Sequence, residues 1–269
     1  MTIIEQSSTG KISQLTNEDA IVVTDNFIAV IDGSTSKSSH RFHPAMSNGQ
    51  YCMTLVRQYI ESMPADTDCQ HFCHNITQYI HFVYARMQAD MQKLLQQPTE
   101  RMAASAAIYS KARKELWLVG DCQCLVDGTF FDNPKPYEQP VAEMRSAFIR
   151  LQLMQGKHIE DFQQHDYGRD FILPVLIDSC QHQNKSFAVI DGFPMPTGKV
   201  RILDVSQARE IVLATDGYPF LCATLAESEQ QLACQLADDP LCINRFKATK
   251  GLMHGRHSFD DRSYIRFCP

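Results

Sequence analysis

The sequence predicts an α+β fold in which sheet packs on sheet with helices outside, and three observations predict it. Short β-branched or apolar runs cluster near residues 20–31, 103–126 and 187–267, which is strand-like patterning. Between these clusters lie long stretches with apolar residues at helical spacing, and layers of packed sheet and helix are the stable way to bury both kinds of face. Finally, no linker rich in Gly, Ser or Pro and no low-complexity tract divides the chain, so residues 1–269 are expected to form a single domain.

Element by element, Ala20–Val23 and Phe27–Ile31 read as strands around the polar turn Thr24-Asp25-Asn26, a hairpin whose second arm ends in Asp32-Gly33. A polar loop, Ser34–His43, follows. Pro44–Ser62 carries Met46, Tyr51, Leu55, Val56, Tyr59 and Ile60 at helical spacing. Cys69–Leu95 reads as a second long helix through Phe72, Ile76, Ile80, Val83 and Met87. The short link containing Pro64 makes the two an antiparallel pair lying on a sheet. Ala103–Tyr109, Leu116–Val119 and Cys122–Val126 return to strand patterning, with turns at Ser110–Lys114 and Gly120-Asp121. Glu138–Gln155 and Ile159–Gln181 are helical in spacing. Phe187–Ile190, Val200–Val205, Ile211–Thr215 and Tyr264–Phe267 read as closing strands, with a helix at Ser228–Ala237. Phe187–Gly192 echoes Phe27–Gly33, and two strands ending alike account for that without a repeat.

Composition narrows the function. With 44% hydrophobic and 21% charged residues, the chain has apolar material for one sizeable core. A formal charge of −6 and the absence of a Lys/Arg cluster argue against a nucleic-acid partner. The N-terminus lacks a basic stretch followed by an apolar one, and no apolar run reaches the ~20 residues of a membrane span. A cytoplasmic protein with no membrane partner is therefore expected, its ten cysteines reduced and largely buried as small hydrophobes. Cys69, His71, Cys73, His74 and His81 invite a zinc reading, but their spacing matches no zinc signature and adjacent Cys73 and His74 cannot share a helix face. Ser105 lacks a nucleophile-elbow context, and neither a Walker A loop nor a dinucleotide fingerprint is present.

The informative feature is a set of carboxylates at the ends of the apolar runs: Glu18 and Asp19, Asp32, Asp121, Asp216, and Asp260 with Asp261. Side chains at strand ends converge on one edge of a sandwich while their backbones stay rigid. Oxygen ligands of this kind suit Mg²⁺ or Mn²⁺, and two such ions clamp a phosphoryl group and activate a water. Taken singly, Asp-Gly is also a common turn dipeptide, and it occurs at Asp32, Asp127, Asp191 and Asp216.

In order, the chain shows Asn17-Glu18-Asp19, Val30-Ile31-Asp32-Gly33, Leu118-Val119-Gly120-Asp121, Leu213-Ala214-Thr215-Asp216-Gly217 and Asp260-Asp261-Arg262-Ser263. This ordered set resembles the motifs of the metal-dependent (type 2C, PPM) serine/threonine protein phosphatases, over residues 17–263. The resemblance implies a four-layer α-β-β-α sandwich, a central antiparallel β-sandwich flanked by helix pairs. It implies that Asp32 bridges two metal ions, that the Gly33 carbonyl binds one, and that Asp216 and Asp260 hold the other. Glu18 and Asp19 would act on the pair directly or through water, and Asp121 would help form a third site. The implied reaction is Mn²⁺- or Mg²⁺-dependent hydrolysis of a phosphomonoester, on a phosphorylated protein or a small phosphoester, by a metal-bound water. Asp32, Asp216 and Asp260 would carry the catalysis.

The chain departs from that pattern where phosphate is gripped. The family's Arg three residues before the Asn is Gln14 here, and neutral Gln offers no charged fork. Ser34-Thr35-Ser36 follows Asp32-Gly33 where the family often has His-Gly-Gly, and Val119-Gly120-Asp121 continues with Cys122-Gln123. Lys37, in the loop leaving Asp32-Gly33, is the basic residue expected to bind substrate beside Gln14, with Lys11 as the other nearby candidate. These departures also leave open a regulatory or binding module that keeps the fold without efficient turnover.

Overall fold

The computed structural model describes residues 1–269 and opens on β1 (Thr2–Thr9), a strand that the apolar pattern does not predict. Its residues are exposed or half-buried, and it is held by pairing with the last strand of the chain, a partner that local sequence cannot announce. β2 (Asp19–Val23) and β3 (Phe27–Gly33) form the expected hairpin, with Asp19 opposite Asp32. α1 (Asn48–Glu61) starts at a capping box in which Ser47 Oγ accepts from Gln50 N and Gln50 Oε1 accepts from Ser47 N. The single helix expected over Cys69–Leu95 is instead two, α2 (Cys69–Arg86) and α3 (Met91–Gln96). Gln88 turns left-handed at φ 55°, and Asp90 caps the new helix by accepting from Lys93 N.

β4 (Ala104–Ser110), β5 (Glu115–Val119) and β6 (Gln123–Val126) follow, and the Asp127-Gly128 turn adds a short β7 (Thr129–Phe131). After α4 (Glu138–Met154), the stretch expected as one helix from Ile159 divides into α5 (Ile159–Gln164) and α6 (Tyr167–Cys180). Asp166 makes the break by capping α6 through Arg169 N. Phe187–Ile190, expected as a strand, makes only isolated bridges at Phe187 and Ile190. β8 (Arg201–Asp204), β9 (Ile211–Ala214), α7 (Leu225–Asp238) and β10 (Arg262–Cys268) complete the chain.

The strands form two antiparallel five-stranded sheets, ordered β1-β10-β9-β6-β7 and β2-β3-β4-β5-β8. Ile28, Val30 and Leu118 of one meet Leu213, Ile265 and Phe267 of the other, an apolar layer between the sheets. On the outer face of the second sheet, Val56 of α1 and Phe72 and Ile76 of α2 pack against Ile31, Ile108 and Trp117. Trp117 is fully buried and stacks on Phe72 at 5.9 Å, and each such side chain contributes roughly 1.5–3 kcal/mol by leaving water. The outer face of the first sheet is covered by α7 and the turn before it, through Tyr218, Leu221 and Leu225 on Val212 and Tyr264. The layers therefore run α-β-β-α. α4 and α6 pack together through Val141, Ile172 and Leu176, and buried Arg145 ties them with hydrogen bonds to Asp166 and to the Leu241 carbonyl. No helix is long and apolar enough to cross a membrane.

Candidate metal centre

Sheet register brings the acidic strand ends to one edge of the sandwich. Asp32 leaves β3 opposite Asp19 of β2 and Ser105 of β4. Asp216 follows β9, and Asp260 precedes β10, the strand paired with β9. Asp121 stands in the turn by which the chain crosses from β5 in one sheet to β6 in the other. That turn needs glycine: Gly120 has φ 78°, and a Cβ there would collide with the Ser105 side chain. Ser105 Oγ, so positioned, donates to Asp121 Oδ1 at 2.5 Å. Carboxylate oxygens of Asp32, Asp121 and Asp216 lie within 4.8 Å of one another. The cleft above them is lined also by Gly33, Lys37, Asp260 and a ring of residues from other elements: Lys135, Glu138, Arg169 and Lys250.

Charge divides these carboxylates into two groups. Burial alone would raise Asp121, but Lys135 Nζ at 2.5 Å and the Ser105 hydroxyl hold it well below the usual carboxylate range. Burial is likewise overcome at Asp260, which Lys250 and Lys11 keep ionised. Asp32 has no such partner. Its carboxyl is pushed far up, first by burial and then by Asp216, Asp19 and Asp121. Asp216 is raised to about 7 by burial and by Asp260 and Asp121. Buried carboxylates that cannot all ionise together are short of cationic charge. Three oxygen donors on rigid strand ends, with that deficit, fit a hard divalent ion.

Glu18 and Asp19 lie just behind the cleft. Glu18 accepts from Ser47 Oγ and Thr35 Oγ1, each at 2.5 Å, and from Lys11 Nζ at 3.3 Å. It reaches Ser47 because the second residue of α1 is a glycine: a Cβ on Gly49 would press on the Glu18 carboxylate and on the Gly33 carbonyl. Asp19 is buried, accepts from Thr215 Oγ1 at 2.6 Å, and is raised by burial and by Asp260, Asp261 and Asp216. Gln14 is not brought to the cleft; it lies exposed on a groove with Gln6, Ser8 and Asn17. Lys37 is in the cleft and has no carboxylate beside it. Its ammonium is lowered by burial and by Arg169, Lys135 and Lys250.

Four cleft residues escape sequence reasoning. Lys135, Glu138, Arg169 and Lys250 sit in segments without a recognisable motif; Lys135 stands just before α4, Glu138 opens it, Arg169 comes from α6, and Lys250 from the loop between α7 and β10. Lys250 pairs with Asp260, and Arg169 donates to the Thr249 carbonyl at 2.9 Å, fixing the loop that carries Lys250. The Cys/His cluster is not a site: Cys69 and Cys73 are buried in the helix-facing core, and His71 pairs with Asp68.

No family model and no curated protein matches the chain. Among solved structures it is similar to a bacterial serine phosphatase, at 14% identity over 97% of this chain and 95% of that one, with a TM-score of 0.49. It is similar to the serine/threonine phosphatase Stp1 of Staphylococcus aureus, at 13% identity over 100% of this chain and 95% of that one, TM-score 0.48. A third is the catalytic domain of the serine/threonine protein phosphatase PstP in complex with two manganese ions, at 14% identity over 97% and 96%, TM-score 0.48.

Proposed function

We propose that this chain is a divergent member of the metal-dependent, type 2C-like phosphatases and hydrolyses phosphomonoesters, with phosphoserine or phosphothreonine on a protein as the substrate class. The observation that carries the reading is the convergence of Asp32, Asp121 and Asp216 to within 4.8 Å, from three strand ends in the motif order of that family. Asp32 and Asp216 are the donors left without a cation of the chain's own, so they and Asp121 would hold Mn²⁺ or Mg²⁺. When bound, the ion supplies Lewis-acid charge and a water of lowered pKa.

The chain's own residues account for the rest of the substrate site. Lys37 and Arg169 line the cleft without an ion-paired carboxylate, and positive charge there would stabilise a phosphate dianion electrostatically. Lys37 is the better candidate for the grip that Gln14 cannot provide, because no carboxylate competes for it. Lys135 and Lys250 are already paired with Asp121 and Asp260. They position those carboxylates and limit the repulsion among them.

The test is hydrolysis of p-nitrophenyl phosphate and of a phosphothreonine peptide by the metal-stripped protein. Turnover that appears on adding Mn²⁺ and disappears with chelator supports the assignment. Equal rates with and without metal would remove it.

A further inference from the structure

Lys11 lies outside all five motifs, yet it sits at the heart of the acidic cluster. It leaves β1, and the pairing of β1 with β10 carries it beside Asp260 and Asp261. Its backbone N donates to Asp261 Oδ1 at 2.7 Å. Its Nζ lies 3.3 Å from Glu18 Oε2, 3.3 Å from Asp260 Oδ1 and 3.0 Å from Asp261 Oδ2, with the side chain only 12% exposed. The remaining oxygens of Glu18 and Asp260 are also committed, to Ser47 Oγ and to Lys250 Nζ. Thus two of the carboxylates that the family resemblance gives to a two-ion centre have both oxygens engaged by the chain. A divalent ion at Glu18 would have to displace a buried ammonium.

Resting on the metal-centre reading above, we infer that Lys11 is a built-in cation that stands in for one of the two metal ions, so the centre takes a single divalent ion at Asp32, Asp121 and Asp216. The ammonium balances Glu18, Asp260 and Asp261 permanently, in the metal-free protein as well as the loaded one. Asp32 and Asp216, which no ammonium or guanidinium of the chain pairs with, are left to the ion together with Asp121, whose own partner is Lys135.

Metal stoichiometry tests this without reference to turnover. The full chain, stripped of metal, is titrated with Mn²⁺ by calorimetry and followed by electron paramagnetic resonance. The wild type should bind one ion per chain, with the hyperfine spectrum of an isolated Mn²⁺. Lys11→Met should uncover Glu18 and Asp260, admit a second ion, and give the broadened spectrum of an exchange-coupled pair. Glu18→Gln should change Mn²⁺ affinity by no more than about threefold, whereas Asp32→Asn should lower it beyond the ~10–100-fold cost of outer-shell changes. Two coupled ions in the wild type overturn the role of Lys11 and leave the metal centre standing. No bound ion overturns both. Should Lys11→Met fail to fold by circular dichroism, a loss of about tenfold or more in Glu18→Gln overturns the inference alone. A folded Lys11→Met that still binds one isolated ion does the same.

Discussion

Asp216→Asn isolates the cost of assembling the acidic cluster without metal. The Asp216 carboxyl is raised from its ordinary 3.8 to about 7 by burial and by Asp260 and Asp121. At about 1.4 kcal/mol per unit, a rise of roughly three units is at most about 4 kcal/mol of unfavourable native-state charge. Lys250 and Lys135 already lower this value, and because the neighbouring carboxylates share the proton a working figure is ~2–4 kcal/mol. The sign follows from the direction. The folded protein binds this proton more tightly than the unfolded chain, so the contribution to stability is fully present below pH ~4 and is lost as pH rises to about 7. Neutral Asn does not titrate. In chelator, urea melts should therefore show the variant gaining on the wild type between pH 4 and 7, and exceeding it by about 2–4 kcal/mol at pH 8. At Mn²⁺ a hundredfold above its dissociation constant the wild type should regain about 2.7 kcal/mol and the variant little of it. A variant less stable than the wild type at pH 8 in chelator would refute the reasoning, because it would mean that Asp216 carries no uncompensated charge.

Three further outcomes are expected. Lys37→Ala should raise KM for a phosphomonoester about tenfold with kcat within about twofold, since a charged hydrogen bond of ~1.5–3 kcal/mol is lost from substrate and transition state alike; steady-state kinetics decide it. Gln14→Arg should leave KM unchanged, because residue 14 faces a groove away from the cleft; a fall in KM would place the phosphate elsewhere. Arg101→Met should cost about 3–5 kcal/mol in a denaturant melt. It would strand buried Asp191, whose Oδ2 is 2.9 Å from the Arg101 guanidinium.

What the sequence discloses about this protein is local, and what it conceals is set by distant partners. The hairpin Asp19–Gly33 was legible because two short, unbroken apolar runs flank a polar turn, and its register then fixes Asp19 against Asp32. The two long helices were legible as amphipathic stretches, but their breaks were not. Those breaks depend on single caps, Asp90 and Asp166, set within otherwise helical spacing. β1 was invisible because its polar residues are held by ladder bonds to β10, some 260 residues away. At the centre, Asp32, Asp121 and Asp216 could be named because Asp at a strand end beside Gly leaves a pattern. Lys135, Arg169 and Lys250 leave none, since a basic residue brought in by a helix end or a distant loop looks like any solvated one until its neighbours are known. Lys11 and Lys37 could be found only by asking what lies near Gln14 and Asp32. Their opposite roles, one ion-paired and one without a carboxylate beside it, depend on tertiary charge.

The most direct test of the central claim is the Mn²⁺-dependent hydrolysis of a phosphomonoester by Asp32→Asn, compared with the wild type at saturating metal and with both proteins shown folded. Asp32 has no ion-pair partner, and its carboxyl is raised by burial and by four neighbouring carboxylates, Asp216, Asp19, Asp121 and Asp260. Its replacement by a neutral isostere removes a ligand charge while keeping the shape of the edge. The account predicts metal-dependent turnover in the wild type and a loss of at least about a hundredfold in the variant, as for removal of a major electrostatic group from a catalytic site. Turnover by Asp32→Asn equal to that of the wild type would contradict it.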